Sequence, residues 1–325
     1  MHWALLMLLV SCGPSQPKPE YIETATVEDS PSPDLDTDNG DGADDTGEPS
    51  TNDTGEPDNP PEPVDDACEG DDPAPSYPEG TVNCASGICR VPAGDFYMGF
   101  QKGHPDECPA RVLSLPEFRI DETEVTWEAF EACVASGACT AVPDYCRSWA
   151  NALSDGDPSN LPVTCVTWPQ AQTFCEFSGG RLPSEAEWEK AARGTQGAWW
   201  PWGGATPTCD FSNFRFVSWY CEEGVVAVGS YENESPYGPV DMTGNAWEWV
   251  ADYYDAEWYR EAPGTDGPTE NCRPIVGGEA ETCVERVMRG GAYNVTEFNT
   301  RNSARTAASP DRVDNNIGFR CAYDG

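Results

Sequence analysis

A chain of 325 residues with a formal charge of −39 at pH 7 presents a surface that repels nucleic acid and anionic lipid. Lys18, Lys102 and Lys190 are its only lysines, so no basic patch is available to neutralise phosphates, and nucleic-acid binding is excluded. Calcium or a basic partner suits such a charge.

The opening segment MHWALLMLLVSC carries an apolar run from Ala4 to Val10, too short to span a bilayer and suited to the hydrophobic region of a signal peptide. It ends in LVSC, which resembles a bacterial lipobox. The reading is a signal peptide over residues 1–11, with Cys12 lipidated as the first residue of the mature chain. The n-region departs from the usual pattern, having His2 but no Lys or Arg. The expected location is the cell envelope, lipid-anchored to a bacterial membrane and either periplasmic or surface-exposed. Without Cys12, fourteen cysteines remain, an even number that in a secreted chain reads as up to seven disulfides. No CxxC pair occurs and the only mature histidine is His104, so a structural zinc site is not expected.

Residues 13–80 hold 21 Asp and Glu against the single Lys18, with no Trp or Phe. Such a stretch cannot bury enough apolar surface to offset its ordering entropy, which predicts a disordered acidic linker. Within it DLDTDNGDGADD (34–45) places Asp34, Asp36 and Asp38 like the first ligands of a calcium loop. Asn39 stands where that loop needs Gly and Asp45 where it needs Glu, so a solvated tether is the better reading. Every Phe and all tryptophans but Trp3 lie beyond residue 80, which predicts one globular domain over 81–325.

Three helices are legible. In TWEAFEACVASG, Thr126 caps, Trp127, Phe130 and Val134 share a face, and Gly137 stops the run. TWPQAQTFCEF starts with Pro169 in its first turn and turns Ala171, Phe174 and Cys175 inward. SEAEWEKAARG holds a complete capping box, Ser184 with Glu187, an apolar face of Trp188, Ala191 and Ala192, and a terminating Gly194. After Gly194 the chain is punctuated by Gly and Pro with short aromatic runs, which predicts loops and short strands. The fold class is therefore α+β, loop-rich and disulfide-rich.

GGRLPSEAEWEKAARG (179–194), YGPVDMTGNAWEWVADYY (237–254), RVMRGGAY (286–293) and NNIGFRCA (315–322) resemble, in this order, the signature segments of the formylglycine-generating enzyme or sulfatase-modifying-factor family. RVPAGDFYMG (90–99) and IDETEVTWEAF (120–130) resemble its opening strand and first helix. The resemblance spans roughly 90–323 and implies a C-type-lectin-like α+β fold. The enzyme oxidises a sulfatase cysteine with oxygen and a copper(I) ion held by two thiolates, soft ligands for a soft ion. In this chain those two places read Val295 and Thr300, so no copper is expected. The related non-haem-iron enzymes need a histidine set that His104 alone cannot supply, so no iron is expected either. A relay through His104, in GHPDECP, is less expected than an ordinary loop histidine. Paired-carboxylate hydrolysis stays open, since the many acids of the domain offer no way to choose a pair.

The resemblance implies one calcium held by the side chains of Asp241 and Glu248 with the carbonyls of Gly244 and Ala246, a set of hard oxygens suited to a hard cation. A weaker second site would use Asn213 and the carbonyl of Phe214. It also implies a Cys175–Cys321 disulfide, while Cys133 with Cys139, Cys209 with Cys221 and Cys272 with Cys283 are short-loop guesses. The segment 292–316 is rich in Asn, Thr, Ser and Arg, and Tyr293, Asn294, Phe298, Asn299, Arg301 and Arg305 are read as a ligand surface of adaptable polar groups and aromatic anchors. It is similar in this to retroelement-diversified variable proteins of lectin-like fold. Two functions follow: a non-catalytic module binding a protein or other ligand, or an oxidoreductase of the formylglycine-generating type using other ligands. A structural role in an envelope complex is a third.

Overall fold

The computed structural model describes residues 81–261 and 284–325. Cys12, the acidic linker and the Cys272 and Cys283 pair lie outside the described residues. In chain order the elements are β1 (Cys84–Ala85), β2 (Ile88–Val91), β3 (Gly94–Met98), β4 (Arg111–Leu115), β5 (Phe118–Asp121), α1 (Trp127–Ser136), α2 (Asp144–Leu153), α3 (Trp168–Phe177), α4 (Glu185–Arg193), β6 (Trp247–Tyr253), α5 (Trp258–Glu261), β7 (Arg286–Arg289), β8 (Thr306–Ala308), β9 (Ile317–Phe319) and β10 (Ala322–Asp324). Short strands, few helices and long connections make this the α+β, loop-rich architecture read from the sequence.

Three small sheets result. One runs β1-β2-β5-β10, one is the β3-β4 hairpin, and one runs β8-β7-β6-β9 with β6 and β9 parallel. The β1-β2 turn uses Ser86 and Gly87 at φ 54° and 77°, the positive values that a two-residue hairpin connection demands. The last strand, β10, pairs with β5, so the end of the domain is stitched to its beginning.

Period-two alternation puts β6 between two cores. Trp247 and Trp249 enter the core built by α1 and α3 with Phe130, Phe174 and Phe319. Val250 enters the other, with Phe96, Phe118 and Trp188. Trp249 and Trp188 are wholly buried, and truncating either to alanine costs about 3–5 kcal/mol.

Local chemistry sets the helix ends. Thr126, Thr167 and Ser184 accept from the N3 amides of α1, α3 and α4, and Gly137 ends α1 at φ 82°. Two details differ from expectation. The third inward residue of α1 is Cys133, with Val134 only partly covered, because the Cys133–Cys139 bridge draws that turn inward. α2 went unread: Pro143 at its start offers no side-chain cap, so the usual start signal is missing.

Among the described residues five disulfides close the loops: Cys84–Cys89, Cys133–Cys139, Cys146–Cys165, Cys175–Cys321 and Cys209–Cys221. Cys175–Cys321 ties α3 to the segment before β10 across a separation of 146 residues.

Candidate functional site

β7 delivers Arg289 into the interior and then turns through Gly290 and Gly291, both at positive φ. A side chain on Gly291 would lie 2.8 Å from Thr300 Cγ2 and 3.0 Å from the Asn299 carbonyl, so only glycine allows this approach. Arg289 pairs with Glu185 and Glu189 of α4 and donates to the carbonyls of Asn302 (2.7 Å) and Ser303 (2.9 Å). The charged face of α4 thus meets arginines rather than water, and the helix is buried on every side. A buried charge is tolerable only when paired in this way.

The loop beyond is held from several directions. Tyr293 donates its backbone amide to the Asn245 carbonyl at 2.9 Å and its hydroxyl to Asn315 at 3.3 Å, and burial pushes the phenol up to about 12. Asn294 accepts from Asn316 at 3.0 Å. Val295 packs partly buried against the first core, and its carbonyl accepts the Arg215 amide at 2.8 Å. Thr300 is fully buried; its hydroxyl donates to the Glu297 carbonyl at 2.9 Å and accepts from the Trp200 indole at 3.4 Å. Neither side chain carries a thiolate, and the Thr300 hydroxyl is engaged by Glu297 and Trp200.

Two members of the expected ligand surface are corrected. Arg301 is 3 % exposed and clamps both oxygens of Glu107, and the Arg305 side chain is wholly buried against Glu185. They support the loop from beneath, because an unpaired guanidinium in this interior would be too costly. Asn294, Phe298 and Asn299 keep partial exposure, while Tyr293 is 8 % exposed.

The calcium residues fall at a buried carboxylate cluster. Asp241 accepts the Gly229 amide at 2.5 Å, and burial raises its carboxyl, with the charge of Glu248 adding to the rise. Glu248 presents no free oxygen: Arg320 reaches both of them at 2.7 Å, and the Trp188 indole takes one at 2.8 Å. Sequence reasoning missed Glu124, wholly buried, with one oxygen accepting from the Asn245 amide at 2.9 Å and its carboxyl hydrogen-bonded to that of Asp241. Burial and the nearby Asp241 charge hold its carboxyl well above the usual range. Asn213 lies in the same region, its amide donating to the Gly224 carbonyl and to Asn245, its Oδ1 without a hydrogen-bond partner among the described residues. Asp241 and Glu124 thus lie close together as buried carboxylates, while Glu248 is engaged by Arg320 and Trp188.

His104 pairs through Nδ1 with Asp106 at 3.0 Å, and its Nε2 engages no nucleophile among the described residues, so no relay is assembled. All eleven described cysteines are disulfide-bonded, which leaves no thiolate among them for copper(I).

The sulfatase-modifying factor enzyme 1-like domain matches residues 74–325. The chain belongs to this family. Among relatives, the formylglycine-generating enzyme of Streptomyces coelicolor is 32 % identical over 302 residues, covering 76 % of this chain and 92 % of that protein. The serine/threonine-protein kinase Pkn1 of Chlamydia trachomatis is 31 % identical over 72 % of this chain, a match confined to 38 % of the kinase. Two solved structures share the family fold: PvdO from Pseudomonas aeruginosa (TM-score 0.59, 24 % identity, 77 % of this chain and 100 % of that one) and Treponema denticola variable protein 1 (TM-score 0.53, 21 % identity, 73 % and 95 %).

Proposed function

We propose that this chain is a lipid-anchored cell-envelope protein whose sulfatase-modifying-factor domain binds a protein or other ligand and does not oxidise cysteine. The observation that carries this reading is the pair Val295 and Thr300, an apolar side chain and a hydroxyl spent on Glu297 and Trp200, in a domain whose described cysteines are all bridged. Copper(I) needs soft donors, and none is offered there. The occurrence of a related domain within part of a protein named as a kinase supports a family used for more than one purpose. Partly exposed Asn294, Phe298 and Asn299 are the contact groups of the loop, held in place by Arg301 and Arg305. Calcium would draw on Asp241 and Glu124, and would offset their buried charge. Its test is a chelator: an unchanged melting temperature removes calcium from this reading.

The similarity to formylglycine-generating enzymes over nearly their whole length favours the alternative, an oxidoreductase acting on a protein cysteine. One experiment separates the two: titration of the purified protein with copper(I), then incubation with a cysteine-containing sulfatase peptide and oxygen. The binding reading expects neither stoichiometric copper uptake nor formylglycine. Appearance of both would establish the alternative.

A further inference from the structure

Residues 214–221 form a small hairpin beside the loop that carries Asn294. The Arg215 amide donates to the Val295 carbonyl at 2.8 Å, the Phe216 amide to the Trp219 carbonyl at 2.8 Å and the Cys221 amide to the Phe214 carbonyl at 2.9 Å. The Cys209–Cys221 bridge fastens its end. Its rings climb outward from the core: wholly buried Phe214 packs on Phe216 at 4.7 Å between ring centres, and Phe216 stacks on Trp219 at 4.2 Å. Trp219 is thereby held in place while 54 % exposed, with Tyr220 at 43 % and Val217 at 84 %.

Apolar rings fixed in water cost free energy that is recovered when something covers them. The face continues onto α2, where Tyr145, Trp149 and Leu153 follow at four-residue spacing on one side of the helix. Trp149 meets the Tyr293 ring at 6.3 Å between centres, and Leu153 lies against Gly224 just past the hairpin.

Arg215 gives this face its polarity. Elsewhere arginines meet carboxylates of their own chain, from exposed Arg90 with Glu117 to buried Arg320 with Glu248. The Arg215 guanidinium has no carboxylate or carbonyl partner among the described residues, although the chain holds 57 acids against 18 Lys and Arg. It lies 5.8 Å from the Tyr220 ring centre, with its Nε buried and without a hydrogen bond and its two terminal nitrogens open to solvent. Glu222 and Glu223 follow the hairpin, and neither pairs with it. Repulsion of an anion by the more distant acids is screened beyond about 8 Å at physiological salt, whereas a carboxylate on the guanidinium is in direct contact. Trp, Tyr and Arg together are the residue types on which binding energy concentrates at protein interfaces.

We propose that this hairpin is part of the partner surface and selects a polypeptide segment bearing Asp or Glu beside an apolar side chain, the carboxylate on Arg215 and the apolar group on Trp219. The proposal rests on the binding reading above and names the chemistry of the partner. Random peptides displayed on phage, selected against the immobilised full chain, test it. Enriched sequences should share Asp or Glu next to an aliphatic or aromatic residue. In calorimetry the synthetic consensus peptide should lose at least tenfold in affinity when its acid becomes the amide, or when the protein carries Arg215→Gln. Trp219→Ala should weaken it at least fivefold, with the circular dichroism spectrum unchanged in both variants. No enrichment, a consensus of Lys or Arg, or unaltered affinity in Arg215→Gln would each overturn the proposal. So would sedimentation showing a dimer of the full chain that Trp219→Ala abolishes, since a second copy would then be the occupant. Peptides that depend on Asn294 or Phe298 but not on Arg215 would remove this proposal and leave the binding reading standing, which the copper titration decides separately.

Discussion

Arg320 and Glu248 form a two-point ion pair inside the domain: Nε and Nη2 each lie 2.7 Å from a carboxylate oxygen, and neither side chain is more than 1 % exposed. Arg320 also donates to the carbonyls of Asp121, Glu122 and Val240, so one side chain near the end of the chain fastens β6 to the segments around β5. Arg320→Met should therefore cost about 3–5 kcal/mol, because Glu248 is left buried without its counter-charge. Urea denaturation checks this. A loss below about 1 kcal/mol would mean that Glu248 finds another partner or a proton at little cost.

Thr300 gives a smaller and more local expectation. Thr300→Val keeps the shape but strips the hydroxyl, leaving the Trp200 indole N–H and the Glu297 carbonyl without that partner. The expected cost is about 1–3 kcal/mol, read as a lower denaturation midpoint at unchanged slope. A stabilised variant would show that the hydroxyl is not part of the packing that fills this position.

Asp121 supplies a pH dependence. Burial pushes its carboxyl up to about 6 despite bonds from the Cys321 amide and the Tyr323 hydroxyl. A carboxyl raised on folding contributes stability that is complete below its unfolded value and is lost as pH rises through about 6. Asp121→Asn removes that titration, so the variant should gain on the parent between pH 4 and pH 7. Parallel denaturation midpoints across that range would refute the assignment.

The elements legible in the sequence are those whose determinants are local. The Ser184 and Glu187 capping box lies within four residues, as do the partners of the two ends of α1, Thr126 with Ala129 and Gly137 with Val134. Partnerships across the chain were not legible. Arg301 finds Glu107 across 194 residues and Arg305 finds Glu185 across 120, so both arginines read as surface groups when only their own segment is seen. Glu124 sits in a helix-start motif whose local role is unremarkable, and its position beside Asp241 follows only from the tertiary fold. That Val295 and Thr300 carry no soft donor is a reading of side-chain type alone.

Two bridges should differ in weight. Loop-closure entropy rises with the logarithm of the separation, which gives about 5 kcal/mol for Cys175–Cys321 across 146 residues and about 2 kcal/mol for Cys133–Cys139 across 6. Paired Cys→Ala variants of each bridge, compared by denaturation under otherwise oxidising conditions, should rank in that order. The reverse ranking would mean that native packing around α1, not the unfolded chain, governs what these bridges contribute.

The lipid anchor rests on Cys12 and is open to direct test. Cys12→Ser removes the only acceptor in LVSC while leaving the apolar run from Ala4 to Val10 intact. A single acyl chain gives only marginal membrane affinity, whereas several chains on one residue hold a protein firmly. The parent expressed in a bacterium should therefore partition into the detergent phase and carry labelled fatty acid, while Cys12→Ser should do neither. The acidic linker gives the fractionation its control: with 21 acids over residues 13–80, the chain has little reason to adhere electrostatically to an anionic bilayer. Retention of Cys12→Ser in the membrane fraction at high salt would therefore point to attachment through the apolar segment itself, and the lipoprotein reading would be abandoned.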